Sequence, residues 1–87
     1  MTPLTKAIED YLALRRSLGF KLRDAGAALA EFAAFMEQRQ AEHITTTLAL
    51  EWAQQPRTTQ PAHWAQRLGY VRGFARHHLA RDPNTEV

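Results

Sequence analysis

The groups in this 87-residue sequence that could do chemistry are four histidines, two tyrosines, nine carboxylates and eleven Lys/Arg side chains. An enzyme needs some of them to converge as acid, base, nucleophile or metal ligand. Their spacing argues against it. His77 and His78 are neighbours, so on a helix they point about 100° apart and do not easily share one ion. His43 falls in a loop and His63 at the start of a helix. His78 lies on an apolar stripe and is expected to be a satisfied boundary residue. Glu9 and Asp10 are adjacent on a surface helix and are most simply solvated. Tyr11 and Tyr70 sit on or beside apolar stripes, where core or boundary packing is expected. The sequence contains no H-E-x-x-H motif and no glycine-rich phosphate loop. It has no cysteine, which removes disulfides and thiolate metal sites. No catalytic centre, metal or cofactor is expected from these residues.

The arginines tell more. Residues 1–51 carry six Lys/Arg and seven Asp/Glu. Residues 52–81 carry five arginines (Arg57, Arg67, Arg72, Arg76 and Arg81) and no acid. The net charge of +2 therefore hides a polarised distribution. A long stretch of one sign favours a polyanionic partner, although a basic solvated helix face would carry the same composition.

Four helices must position these groups, and a chain of this length makes one domain. Such a domain buries only roughly 60–65% of its unfolded surface, so its core is modest. The first helix is expected from Pro3 to Ser17, with Thr2 as N-cap and Pro3 in the first turn. Leu4, Ile8, Tyr11, Leu12 and Leu18 make its apolar stripe. Gly19 suits a left-handed C-terminal stop, with Phe20 beyond it to close the end. The second helix is expected from Asp24, a capping acid, to Arg39. Leu29, Phe32, Ala33 and Met36 share its inner face. The third is short, Thr46 to Gln55, capped by one of Thr45, Thr46 or Thr47 and ended by Pro56. Trp52 and Leu48 point inward. The fourth runs from Pro61 to Arg81, with Trp64, Leu68, Val71 and Ala75 as its stripe, widened by Phe74 and Leu79. Gly69 and Gly73 inside it each cost about 1 kcal/mol against alanine, which close packing or close approach to a ligand backbone would offset. The run Asp82-Pro83-Asn84 ends the helix. No apolar run approaches the roughly 18–20 residues of a membrane span, and the N-terminus has acids inside its apolar stretch, unlike a signal peptide.

Three groups of residues carry a family resemblance. The second helix contains Leu29-x-x-Phe32-x-x-Phe35. The fourth contains Arg67-Leu68-x-x-Val71-Arg72-x-Phe74-x-x-His77-x-Leu79, and Arg15-Arg16-x-Leu18-Gly19-Phe20-Lys21 precedes the second helix. In this order and spacing they resemble the N-terminal core-binding domain of tyrosine recombinases, the phage-integrase family. The resemblance implies an all-α, compact four-helix SAM-like fold. It implies a core-binding domain over residues 1–81, with residues 82–87 opening a linker to a C-terminal catalytic domain that this chain lacks. In that family the two domains clamp double-stranded DNA from opposite sides, helices two and four cross the major groove, and the tyrosine nucleophile belongs to the other domain. Neighbouring protomers in a synaptic complex are the further partners implied, and a bacterial cytoplasm the implied location. One position departs from the pattern: many members have an aromatic residue four positions before the helix-two leucine, where this chain has Ala25.

Long charged stems and helix N-termini suit phosphate contact. Lys21, Arg23, His63, Arg67, Arg72 and Arg76 are therefore the expected DNA contacts, Arg67 and Arg72 foremost, with limited base reading from His63 or Arg67. A helical dimerisation module is the rival reading, and would show an exposed apolar patch. A helix-turn-helix repressor fragment ranks lower, because no tight three- or four-residue turn precedes the basic helix.

Overall fold

The computed structural model describes residues 3–20, 22–55 and 61–86. Among them it is all-α: α1 (Pro3–Ser17), α2 (Arg23–Gln38), α3 (Thr46–Ala53) and α4 (Pro61–His78). Helices α2 and α4 form the central pair; α1 and α3 each pack against both.

Local sequence explains most of the boundaries. α1 stops as Gly19 turns left-handed at φ 98°, and Phe20 N–H donates back to Arg15 O at 3.3 Å. α3 begins at Thr45, whose hydroxyl accepts from Leu48 N–H at 3.1 Å, which selects the cap among the three threonines. The expected Thr2 cap, Lys21 and the Pro56 stop lie outside the described residues.

Several boundaries differ from expectation. α2 starts at Arg23, one residue early, after Leu22 in a left-handed conformation with no side-chain cap, so Asp24 serves as a first-turn acid rather than the cap. α3 ends two residues early, at Ala53. α4 ends at His78, three residues before Arg81, because the chain turns there: Arg81 and Asp82 N–H both donate to His78 O at 2.9 Å. Leu79 therefore leaves the helical stripe and is exposed. Leu18 is 66% exposed, since α1 has already ended when the chain reaches it.

The core is aromatic. Trp52, Phe32, Phe74, Leu29, Ile44 and Val71 are fully enclosed. Phe32 meets Trp52 edge-on at 5.3 Å, and Tyr11 meets Phe74 edge-on at 5.5 Å, the arrangement that ring quadrupoles favour. Ile44 comes from the connection between α2 and α3, which sequence periodicity did not mark as core. Trp64 and Leu68, expected in the stripe, are only half-buried.

The four-residue offset of Gly69 and Gly73 conceals two different environments. A Cβ on Gly73 would lie 3.4 Å from Tyr11 Oη of α1, a close contact with the tip of that side chain. A Cβ on Gly69 would meet nothing within 4 Å. Packing inside the domain does not explain Gly69.

Residues 82–86 pack back onto the body. Asp82 Oδ2 lies 2.7 Å from His43 Nδ1. Glu86 N–H donates to Ile44 O at 2.9 Å, and the Glu86 carboxylate accepts from Thr46 N–H at 2.8 Å, capping α3 from outside. Thr85 between them is buried.

Candidate nucleic-acid interface

The described arginines of the acid-free stretch separate into two kinds. Arg67 and Arg81 are used within the fold. Arg81 Nη2 donates to Asp10 Oδ2 at 3.2 Å. Lys6 and Arg81 together hold the Asp10 carboxyl below its ordinary value, Lys6 contributing most. Arg67 points inward: its side chain is 12% exposed, and its guanidinium lies on the Trp52 ring at 4.0 Å. It donates to Trp52 O at 3.3 Å and to Glu31 Oε2 at 3.4 Å. Arg67 thus ties α4 to α3 and α2. The spacing Arg67, Val71, Phe74, His78 places it on the inner face of α4, although its charge alone suggests an outward position.

Arg72 and Arg76 are the other kind. Both are exposed, and among the described residues neither has an ion-pair partner. They continue a single outward stripe of α4, Ala62, Ala65, Gly69, Arg72, Arg76, spaced alternately by three and four and exposed throughout. Nothing taller than a methyl group stands on it until the two arginines. Arg23, exposed and without an ion pair among the described residues, opens a matching stripe on α2 with Ala27, Ala30 and Ala34. Close backbone approach is what two such stripes on neighbouring helices permit.

The seam between α2 and α4 is lined by polar groups. A hollow of about 250 Å³ is bordered by Asp24, Ala27, Glu31, His63, Gln66 and Tyr70. His63 is exposed at the start of α4 and Gln66 stands one turn on. The structure thus brings His63 and Arg67 to the seam, sets Arg72 and Arg76 on the outward stripe of α4 and Arg23 at the start of α2. Lys21 lies outside the described residues. The two acids at the seam, Asp24 and Glu31, were not among the expected site residues; composition gave no reason to look for acids on a basic surface. Ala25, where the family pattern has an aromatic residue, faces inward and is buried, so in this chain that position packs.

No group of three or more metal-ligating side chains occurs among the described residues, and no described helix is long and apolar enough to cross a membrane.

Over all of its 87 residues the chain is 53% identical to the protein named "Putative integrase/recombinase y4rB" of Sinorhizobium fredii (strain NBRC 101917 / NGR234). The chain spans 28% of that protein's length. No family model matches the chain, and no solved structure matches it. At this identity over all 87 residues, the chain is a homologue of part of an integrase/recombinase-like protein.

Proposed function

We propose that this chain is the DNA-gripping helical domain of a site-specific recombinase of the tyrosine recombinase group, and that bond breakage belongs to another domain. The observation that carries the reading is the outward stripe of α4, which ends in two exposed arginines with no ion-pair partner among the described residues. Arg72, Arg76 and Arg23 grip phosphates, with Lys21 the further candidate beside Arg23. His63 at the seam reaches toward the groove, and Arg67 supports the surface from beneath. A catalytic domain elsewhere in the parent protein closes on the opposite side of the duplex, and neighbouring protomers join in a synaptic complex.

Fluorescence anisotropy of a labelled duplex of about 30 base pairs, titrated with the chain at several salt concentrations, tests this. Expected is binding that weakens steeply with salt, with a log–log slope of a few units. Arg72→Ala and Arg76→Ala each reduce that slope by about one unit and weaken binding alike on all sequences. No binding at low salt defeats the reading.

One observation favours a second reading. Leu14, Leu18 and Phe20, close in sequence at the end of α1, are each exposed, and a protein-contact module would use such apolar groups. Concentration-dependent dimerisation without DNA, abolished by Leu18→Ser, would support it.

A further inference from the structure

Glu31 is an acid on a surface that the proposed function places against a polyanion. It projects from α2 with its side chain 66% exposed. The residues flanking it on the exposed face of α2 are alanines at 27, 30 and 34, so no long side chain of that stripe covers its carboxylate. Hollows lie on both sides of it, one between α2 and α4 and one between α2 and the end of α3. As an ion pair with Arg67 it contributes little to stability, because the contact is long and largely in water. Its Oε2 accepts from Arg67 Nη1, and that guanidinium is itself fixed on the Trp52 ring and the Trp52 carbonyl. Among the described residues Oε1 has no hydrogen-bond partner. The result is a carboxylate tethered by one long contact, its charge partly compensated from below, with one oxygen offered outward.

We infer that Glu31 is a base-reading residue that selects cytosine in the DNA. The inference rests on the DNA-gripping reading above. A carboxylate only accepts hydrogen bonds, so it needs a donor on the base edge. In the major groove cytosine offers its N4 amino group alone, whereas adenine sets an acceptor, N7, beside its donor, and guanine and thymine offer only acceptors. Cytosine is the base whose edge satisfies Oε1 without presenting a second acceptor to the carboxylate. Arg67 lowers the cost of bringing the negative charge near phosphates, which explains why an acid can stand at this point of the surface.

The test is selection from a duplex library with about one helical turn of randomised base pairs, roughly 10, using the 87-residue chain, E31A and E31Q. The bound fraction is sequenced, and total affinity for the unselected pool is measured by anisotropy. In the wild type, cytosine should be enriched about tenfold at one position. E31A should lose that enrichment alone while holding or raising its affinity for the pool, and E31Q should shift the preference toward adenine, which glutamine pairs in bidentate fashion. Equal base preference in wild type and E31A, or no preference in the wild type, overturns the role of Glu31 and leaves the DNA-gripping reading standing. Failure of all three to bind duplex overturns both.

Discussion

The guanidinium of Arg67 sits over Trp52, its central carbon 4.0 Å from the ring centre, and donates to the carbonyl of the same residue at 3.3 Å. One side chain of α4 thus holds α3 by both its ring and its backbone. A planar, delocalised cation suits this place better than a lysine, whose point charge stacks poorly and is strongly hydrated.

Arg67→Ala should therefore cost stability, about 1–3 kcal/mol, through the lost stacking and the Trp52 carbonyl left without its donor. Arg72→Ala, on the outward stripe, should stay within about 0.5 kcal/mol of wild type. Urea unfolding followed by far-ultraviolet circular dichroism compares them. Equal stability of the two variants would contradict the inward role of Arg67.

Gly69→Ala places a methyl group in open space and should stabilise α4 by about 0.5–1 kcal/mol. Gly73→Ala should gain less, because its methyl group reaches Tyr11 Oη. If α4 lies against DNA along its outward stripe, Gly69→Ala also weakens duplex binding despite the higher melting temperature. A variant that is both more stable and equally tight in binding would move the contact away from that stripe.

His78 stacks on Phe74 at 5.1 Å, and its Nδ1 is buried without a hydrogen-bond partner. Burial pushes its pKa below the ordinary 6.5. The folded chain holds the ring neutral while the unfolded chain takes a proton as pH falls past 6.5. Unfolding then binds a proton, so stability should decline from about pH 6.5 downward. Thermal midpoints of wild type and His78→Gln, compared above and below that pH, check the sign; the variant should lose less on acidification. Asp82 acts in a lower window. Its carboxyl is held below the ordinary 3.8, chiefly by the His43 hydrogen bond, so its contribution persists above 3.8 and fades as pH falls below it.

Removing residues 82–87 should destabilise the domain by about 1–3 kcal/mol, since it strips the Ile44 carbonyl of its partner, uncaps Thr46 and exposes the ground beneath Thr85. Glu86→Ala alone should cost about 0.5–1 kcal/mol and fray the start of α3. Amide hydrogen exchange at Thr46 reads this directly. Unchanged protection in the truncated chain would show that the tail does not hold α3.

Much of this protein was legible from residue order. The periodicity of Leu29, Phe32, Ala33 and Met36, the stop at Gly19 and the threonine cap are local effects, written in side chains within one turn of the place where they act. The basic stretch of 52–81 was equally plain, as composition needs no geometry. Which arginines of that stretch are free was not legible. Ile44 and Thr85 in the interior were missed because their burial depends on segments far apart in sequence meeting in space, as where Glu86 N–H donates to Ile44 O.

By itself the sequence determined four helices, their approximate limits and a polarised charge, since these follow from local propensity and spacing. Only the tertiary structure decided that Arg67 turns inward onto Trp52 while Arg72 and Arg76 remain outside. It also brought Glu31 to the seam between α2 and α4 and folded residues 82–86 onto the start of α3. The physical reason is that a charge's role depends on what faces it across the packed helices, and that partner is distant along the chain.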